Sequence, residues 1–216
     1  MRGTLALVVG PSGAGKDTLI RGAQAALADE AHFVFPQREI TRPAGDLHET
    51  HIPISEASFE ARRAGGAYAL TWRAHGLGYG IPREIDDSLA AGRSVIVNVS
   101  RGVIAEARAR YETLAVLSIA VPPEVLRRRL AARGRESEDE VAARLSRAAA
   151  YEVQGPEVTT LVNDGPPAAM IAKFVRLLRG LGVEALSTEE LSDEDLEAIA
   201  SAEPPPEAAS FDHEVE

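Results

Sequence analysis

The stretch Leu5-Ala6-Leu7-Val8-Val9-Gly10-Pro11-Ser12-Gly13-Ala14-Gly15-Lys16-Asp17-Thr18 decides the fold. Its first five residues are all apolar and close on a glycine, the pattern of a short strand buried on both faces. From Lys16 onward Leu19, Ile20, Ala23 and Leu27 recur at helical spacing. Between strand and helix lies Gly-x4-Gly-Lys, the spacing of a phosphate-binding loop. Glycines allow the backbone to wrap tightly with its N–H groups turned inward on an anion. The helix N-terminus adds its positive dipole end, and lysine supplies a mobile charge for the terminal phosphates. Gly10, Pro11, Ser12, Gly13, Ala14, Gly15, Lys16, Asp17 and Thr18 are therefore the expected nucleotide-phosphate site. Only Lys16 and Lys173 are lysines in the whole chain, and one of them holds this position.

Two features depart from the usual loop. The Ser or Thr that reaches Mg²⁺ after the lysine is replaced by Asp17. Asp17 either reaches the ion, directly or through a water, or complements the helix dipole as a cap. The strand expected at Ser94–Val99 carries Asn98 near its end, where an acidic metal-holding residue would stand. The Asn-Lys-x-Asp sequence of guanine-recognising switches is absent. The loop therefore points to a kinase.

Outward from the loop, strands alternate with helical segments. Strands are predicted at Phe33–Phe35, Ile52–Ile54, Tyr68–Trp72, Ser94–Val99, Leu114–Val121 and Val158–Val162. Helices are predicted at Ser55–Ala64 with Ser55 as cap, Pro82–Ala91, Val103–Tyr111, from Pro122-Pro123, from Ser137 with Glu140 completing a capping box, and over Pro166–Leu181. Glycine content marks Gly76–Gly80 as a loop. The alternation predicts an α/β layer around a mainly parallel sheet.

Composition sharpens this. The 216 residues carry 33 acidic and 23 basic side chains, a net charge of −10, and no cysteine. A disulfide framework, a thiolate metal site and a thiol nucleophile are excluded. No apolar run is long enough to span a bilayer. The short run Leu5–Val9 lacks a signal peptide's length and cleavage pattern, so a soluble cytoplasmic chain without nucleic-acid or membrane partners is expected. The acidity is uneven. Residues 183–216 hold twelve acidic side chains and no Lys or Arg, which leaves 21 acidic against 23 basic in residues 1–182. The expected organisation is a catalytic body, 1–182, and an acidic tail, 183–216, with a short helix followed by disorder. In the body 21 of the 23 basic residues are arginines, a composition that reflects base bias or the bidentate handling of phosphate.

Beyond the loop, Thr41-Arg42-Pro43, His75-Gly76, Tyr79-Gly80 and Pro82-Arg83-Glu84 occur in the order of guanylate kinases, and Arg133-Gly134, Ser137-Glu138 and Arg144 resemble their lid. The resemblance runs from about Leu5 to about Leu181. It implies a P-loop nucleoside-monophosphate-kinase-like three-layer fold, with a small substrate-binding subdomain and a helical lid. The nucleobase side departs from that family. Leu70 falls where it carries a guanine-binding glutamate, and Asn98-Val99-Ser100 falls on its Asp-x-Asp pair. Gly15-Lys16-Asp17-Thr18, Ala69-Leu70-Thr71-Trp72, Ala74-His75-Gly76-Leu77 and Val97-Asn98-Val99-Ser100-Arg101 are instead similar to the ribose 1,5-bisphosphate phosphokinases of phosphonate breakdown.

That resemblance implies transfer of the ATP γ-phosphoryl, with Mg²⁺, to the 1-phosphate of ribose 1,5-bisphosphate, giving 5-phosphoribosyl 1-diphosphate. It implies that Arg133 and Arg144 approach the ATP phosphates as the lid closes, catalytic beside Lys16 of the loop; for Asp17 a metal role stays one of its two readings. Arg42, Tyr79 and Arg101 are candidates for the acceptor's phosphates, and Asn98 and Ser100 for its ribose hydroxyls. Arg127-Arg128-Arg129 reads as a solvated helix face with at most one lid participant. His48 and His51, three apart in an expected loop, do not match the zinc-helix spacing. His75 orients its loop, and Trp72 is core or an interface anchor. The oligomeric state stays open, a homodimer included. Three other readings compete: guanylate kinase activity, which Leu70 opposes; an inactive interaction module, which Lys16 and the lid arginines oppose; and a sugar kinase using Asp46 or Glu84 as base.

Overall fold

A computed structural model describes residues 2–42, 51–133, 145 and 153–181, with the backbone alone at 132 and 133. In chain order these form β1 (Leu5–Val9), α1 (Lys16–Ala26), β2 (Phe33–Val34), β3 (Arg38–Ile40), β4 (His51–Pro53), α2 (Glu56–Ala64), β5 (Tyr68–Ala74), β6 (Leu77–Pro82), α3 (Ile85–Ala90) and β7 (Ser94–Asn98). A 3₁₀ turn (Arg101–Val103), α4 (Ile104–Arg110), β8 (Leu114–Ala120), α5 (Pro123–Arg133), β9 (Val158–Val162) and α6 (Pro167–Arg179) follow.

The apolar run Leu5–Val9 is buried at every position because it is the centre of a sheet. Five strands in the order β2-β7-β1-β8-β9 all run parallel. A parallel sheet needs cover on both faces, and the side-chain period of two distributes β1 between two cores. Ala6 and Val8 face one core with Leu19 and Ala23 of α1 and Phe174 and Leu178 of α6. Leu5, Leu7 and Val9 face the other, with Ala69, Leu70 and Ile81, α3, and Val103 and Ile104. Phe174 and Leu178 are fully buried, each contributing roughly 1.5–3 kcal/mol.

The second sheet, β4-β3-β6-β5, is built differently. β3 pairs with β4 in parallel but with β6 antiparallel, and β5 and β6 form a hairpin. Ala74 pairs with Leu77 across His75 and Gly76, both at positive φ, the two-residue turn whose twist matches a hairpin. His75 thus shapes the turn. Arg110 ties this sheet to α3 and α4, donating to the Ala69 carbonyl and to Asp86, both at 2.6 Å. Ser55 caps α2, its hydroxyl accepting from the Ser58 amide at 3.1 Å.

Three expectations need correction. Gly76–Gly80 is not a loop: Leu77–Pro82 is strand β6. Its glycines answer close packing. A Cβ on Gly78 would lie 2.8 Å from the Phe59 ring, and one on Gly80 would lie 2.5 Å from the Tyr68 ring. Pro82 consequently ends β6, and the helix opens later, at Ile85. Strand β3, three residues long, was too short to leave a periodic pattern in the sequence. Asp46, His48, Gly134, Ser137, Glu138, Arg144 and the acidic segment 183–216 lie outside the described residues.

Candidate active site

The phosphate loop joins β1 to α1 at the carboxyl edge of the parallel sheet, where α/β folds place their ligands. Gly15, at φ 84, precedes the helix with no side-chain cap, so the first helical amides stay open to an anion. A side chain at Gly15 would be strained at that φ and would also strike the Asn163 amide at 2.7 Å. Asn163 follows β9, is 5% exposed, and donates through Nδ2 to the Ala14 carbonyl at 2.7 Å. Its own amide bonds the Ala120 carbonyl at 2.8 Å. The loop is therefore buttressed from the far edge of the sheet. The sequence reading missed Asn163, because a lone asparagine after a strand also reads as a turn residue.

Lys16 bends back across the loop, its Nζ donating to the carbonyls of Gly10 at 2.7 Å and Pro11 at 3.0 Å. Burial lowers its pKa to about 8; Asp17 opposes the shift and Arg38 adds to it. An anion in the loop would restore the charge.

Asp17 and Asn98 explain each other. The Asn98 amide at the end of β7 donates to Asp17 Oδ1 at 2.8 Å. A second carboxylate at 98 would repel Asp17. Asp17 is the acidic residue of the first turn of α1, where a carboxylate also complements the helix dipole. Its Oδ1 also lies 4.0 Å from Arg38 Nη2, while the side chain stays 56% exposed. Among the described residues no group of three or more His, Cys, Asp or Glu side chains converges on a metal position. A Mg²⁺ ion here would take Asp17 Oδ2 or a water on it, with its remaining oxygens from water and nucleotide phosphates. That ligand set suits Mg²⁺, which keeps its waters.

The three adjacent arginines of α5 divide two to one. Arg127 and Arg128 are exposed, as expected of a solvated face. Arg129 turns inward. Its Nη1 is buried, has no hydrogen-bond partner among the described residues, and lies 3.8 Å from a Cβ built on Gly15. A buried guanidinium N–H without a partner is costly, and this one lies beside the phosphate loop. Arg133 closes α5, with its backbone alone described.

Tyr79 of β6 stacks on Trp72 of β5, ring centroids 5.1 Å apart and planes within 5°. Trp72 is half-buried beneath that stack. Arg38 of β3 lies over the other part of this assembly, 5.8 Å from the Tyr79 centroid. Ser100 turns its hydroxyl onto the Gly102 amide at 3.3 Å and opens the 3₁₀ turn. Arg101 stands exposed on that turn, and Arg42 is partly exposed just beyond β3. Leu70 is fully buried in the core opposite Ile81, so the position offers no polar group to a base. Glu84 is exposed at the start of α3.

Asp17, Arg38 and Asn98 line one cleft, floored by Ile20, Ile81 and Ile96. The structure thus brings Lys16, Asp17, Asn98 and Tyr79 around one region. It adds Arg38, Arg129 and Asn163, which the sequence reading did not assign. The signal for Arg38 was its place four residues before Arg42, and it went unread because β3 was not recognised.

No family model matches the chain. Curated relatives do. The chain is 46% identical over 179 residues to ribose 1,5-bisphosphate phosphokinase PhnN of Methylobacterium radiotolerans, covering 83% of this chain and 99% of that protein. It is 43% identical over 187 residues to the protein of that name in Brucella melitensis, covering 86% and 97% respectively. The bifunctional ribose 1,5-bisphosphokinase-thymidine phosphorylase of Cupriavidus necator is 44% identical over 207 residues, 96% of this chain. The chain spans 34% of that longer relative. Among solved structures, a guanylate kinase from Anaplasma phagocytophilum superposes with a TM-score of 0.61 at 19% identity, over 85% of this chain and 88% of its own. That likeness shows the fold. With matches above 40% identity that cover nearly the full length of two of these relatives, the chain belongs to the ribose 1,5-bisphosphate phosphokinase family.

Proposed function

We propose that the chain transfers the γ-phosphoryl of ATP to the 1-phosphate of ribose 1,5-bisphosphate. An oxygen of the 1-phosphate attacks the γ-phosphorus as the bond to the β,γ-bridging oxygen breaks, and ADP leaves. The product is 5-phosphoribosyl 1-diphosphate. The observation that carries this reading is the meeting of family and site. Lys16, Arg129 and the loop amides gather positive charge where phosphates belong, while the carboxylate beside them, Asp17, is engaged by Asn98.

A hydroxyl acceptor needs a base. A phosphate oxygen is already ionised, so positioning and charge neutralisation suffice. Lys16 releases the Gly10 and Pro11 carbonyls and turns to the β- and γ-phosphates. Arg129 finds its anion, and Arg133 and Arg144 complete the charge as the lid closes and excludes water. Mg²⁺ bound at Asp17 would supply electrostatic neutralisation of the transferring group. Arg42, Tyr79 and Arg101 serve the acceptor's phosphates. Asn98 and Ser100 serve its hydroxyls, at the cost of the hydrogen bonds they make in the unliganded chain. The catalytic body is residues 1–182, and truncation after Gly182 leaves kcat/KM unchanged.

The test is direct. Purified chain is incubated with ATP, Mg²⁺ and either ribose 1,5-bisphosphate or GMP, and products are followed by phosphorus NMR. A new diphosphate signal on C1 of the ribose together with ADP supports the reading. GDP as the sole product, or no ADP with either acceptor, overturns it.

A further inference from the structure

The four-stranded sheet has two unlike faces. On β6, Leu77, Tyr79 and Ile81 alternate with Gly78 and Gly80. The glycine face receives the rings of Phe59 and Tyr68. Glu39 is buried on that side, met by the Tyr68 hydroxyl and by Arg62 Nη2 at 3.0 Å. The opposite face carries Ile81 and Arg38, which both line the cleft. Tyr79 stands on this face, two residues before Ile81.

Three side chains cross it in a row, one from each of three adjacent strands. Trp72 of β5 pairs directly with Tyr79 of β6, and Tyr79 pairs with Ile40 of β3, two residues beyond Arg38. The strand order β3-β6-β5 therefore sets Tyr79 between the other two. The indole stacks on it from β5, centroids 5.1 Å apart and planes within 5°. The Arg38 guanidinium approaches from β3, 5.8 Å from the ring centroid. Arg38 in turn donates to the Asn98 carbonyl at 3.4 Å, so the row ends against the parallel sheet.

Tyr79 is held unlike the other described tyrosines. Tyr68 and Tyr111 are tied by their hydroxyls to the carboxylates of Glu39 and Asp86. The contacts that fix Tyr79 among the described residues are made to its ring. A parallel stack restrains the ring's rotation and commits no polar atom of the phenol. Trp72 is itself packed against the core that contains Leu70 and Ile81, so the indole is a fixed wall. We propose that Trp72 is a positioning residue of the acceptor site: stacked on Tyr79, it holds the phenol in the orientation that receives a phosphate of ribose 1,5-bisphosphate, and does not touch the ligand itself. Trp72 is also the chain's only tryptophan, so its emission reports on Tyr79.

The inference rests on the reaction and the role of Tyr79 proposed above, and its test keeps them apart. Steady-state kinetics compare the unaltered chain, Trp72→Leu and Trp72→Phe. Leucine keeps an apolar group against the core and removes the stack; phenylalanine keeps a ring. For Trp72→Leu the KM for ribose 1,5-bisphosphate rises about threefold to tenfold, the worth of one aromatic stack. Its kcat and its KM for ATP stay within about twofold, and Trp72→Phe recovers most of the loss. In the unaltered chain, ribose 1,5-bisphosphate added without ATP shifts the Trp72 emission saturably. In Tyr79→Leu that shift is lost even at acceptor concentrations that saturate turnover. If Trp72→Leu does not fold, by circular dichroism, the emission measurements decide alone. Leu and Phe variants that behave alike, both normal or both impaired, overturn the inference and leave the reaction standing. So does an emission unmoved by the acceptor, or a shift that survives in Tyr79→Leu. No turnover of the bisphosphate by the unaltered chain overturns the reaction and the inference together.

Discussion

The two sheets divide the work and differ in how they are built. The five-stranded sheet is parallel, with its central strand β1 buried on both faces and uniformly apolar. Its loop is proposed to hold phosphate through backbone amides and one lysine. The four-stranded sheet is mixed, with strands as short as three residues. It presents side chains, with Arg38 lining the cleft over the Tyr79 ring and Glu39 turned to the opposite face. The first region is a local solution, since strand, loop and helix are consecutive in the chain. The second is assembled from segments that meet only in the fold: Arg38 reaches Asn98 across sixty positions and Asp17 from another element again. A local solution should fail abruptly when its one lysine is removed. A distributed one should fail by degrees.

Lys16→Ala is the largest expected effect. Losing the charge at the terminal phosphates lowers kcat/KM on the order of a thousandfold, with the circular dichroism spectrum unchanged. A loss below tenfold would mean that the loop amides and arginines carry the transition state between them.

Next is Asn163→Ala. It leaves the Ala14 carbonyl, bonded at 2.7 Å, without its buried donor. About 1–3 kcal/mol of loop support is lost, and ATP affinity drops about tenfold. Acceptor KM in saturating ATP should not move. Movement there instead would break the division between the two sheets.

The pH dependence of ATP binding comes third. Burial lowers the Lys16 pKa from 10.5 to about 8 in the unliganded chain, and the protonated form binds phosphate. Affinity is therefore flat below about pH 7 and falls as pH rises through 8, approaching tenfold per unit above it. An ordinary lysine would hold its affinity to about pH 10. Titration calorimetry across that range separates the two, and a flat profile to pH 10 would show that burial of Lys16 is relieved before the nucleotide arrives.

Asn98→Ala should be the smallest. The acceptor loses one neutral hydrogen bond, about a three- to tenfold rise in its KM. Asp17 also loses its 2.8 Å donor. Steady-state kinetics at fixed Mg²⁺ measures this, and an unchanged acceptor KM would remove Asn98 from the ribose contacts.

Legibility in the sequence follows the same division. Leu5–Val9, the loop and α1 could be read from consecutive residues, because burial on both faces and the glycine spacing are local properties. The Ser55 cap was readable for the same reason. Gly78 and Gly80 misled, because glycine marks a turn and close packing alike, and only the rings of Phe59 and Tyr68 above the strand distinguish them. Three adjacent arginines read as a solvated face with at most one participant, and helical geometry picks out the third, turned toward Gly15.

By itself the sequence determined the chemistry of the donor side and the class of the fold, since a strand, a glycine loop, a lysine and an amphipathic helix need no distant partner to be recognised. Tertiary structure alone brought the side chains of the cleft together. Asp17 was ambiguous until Asn98 stood 2.8 Å away, and Arg38 was unremarked until β3 turned it into the cleft between Asp17, Asn98 and Tyr79. The physical reason is that a charge acquires its role from the groups packed around it, and those groups lie far apart in the chain.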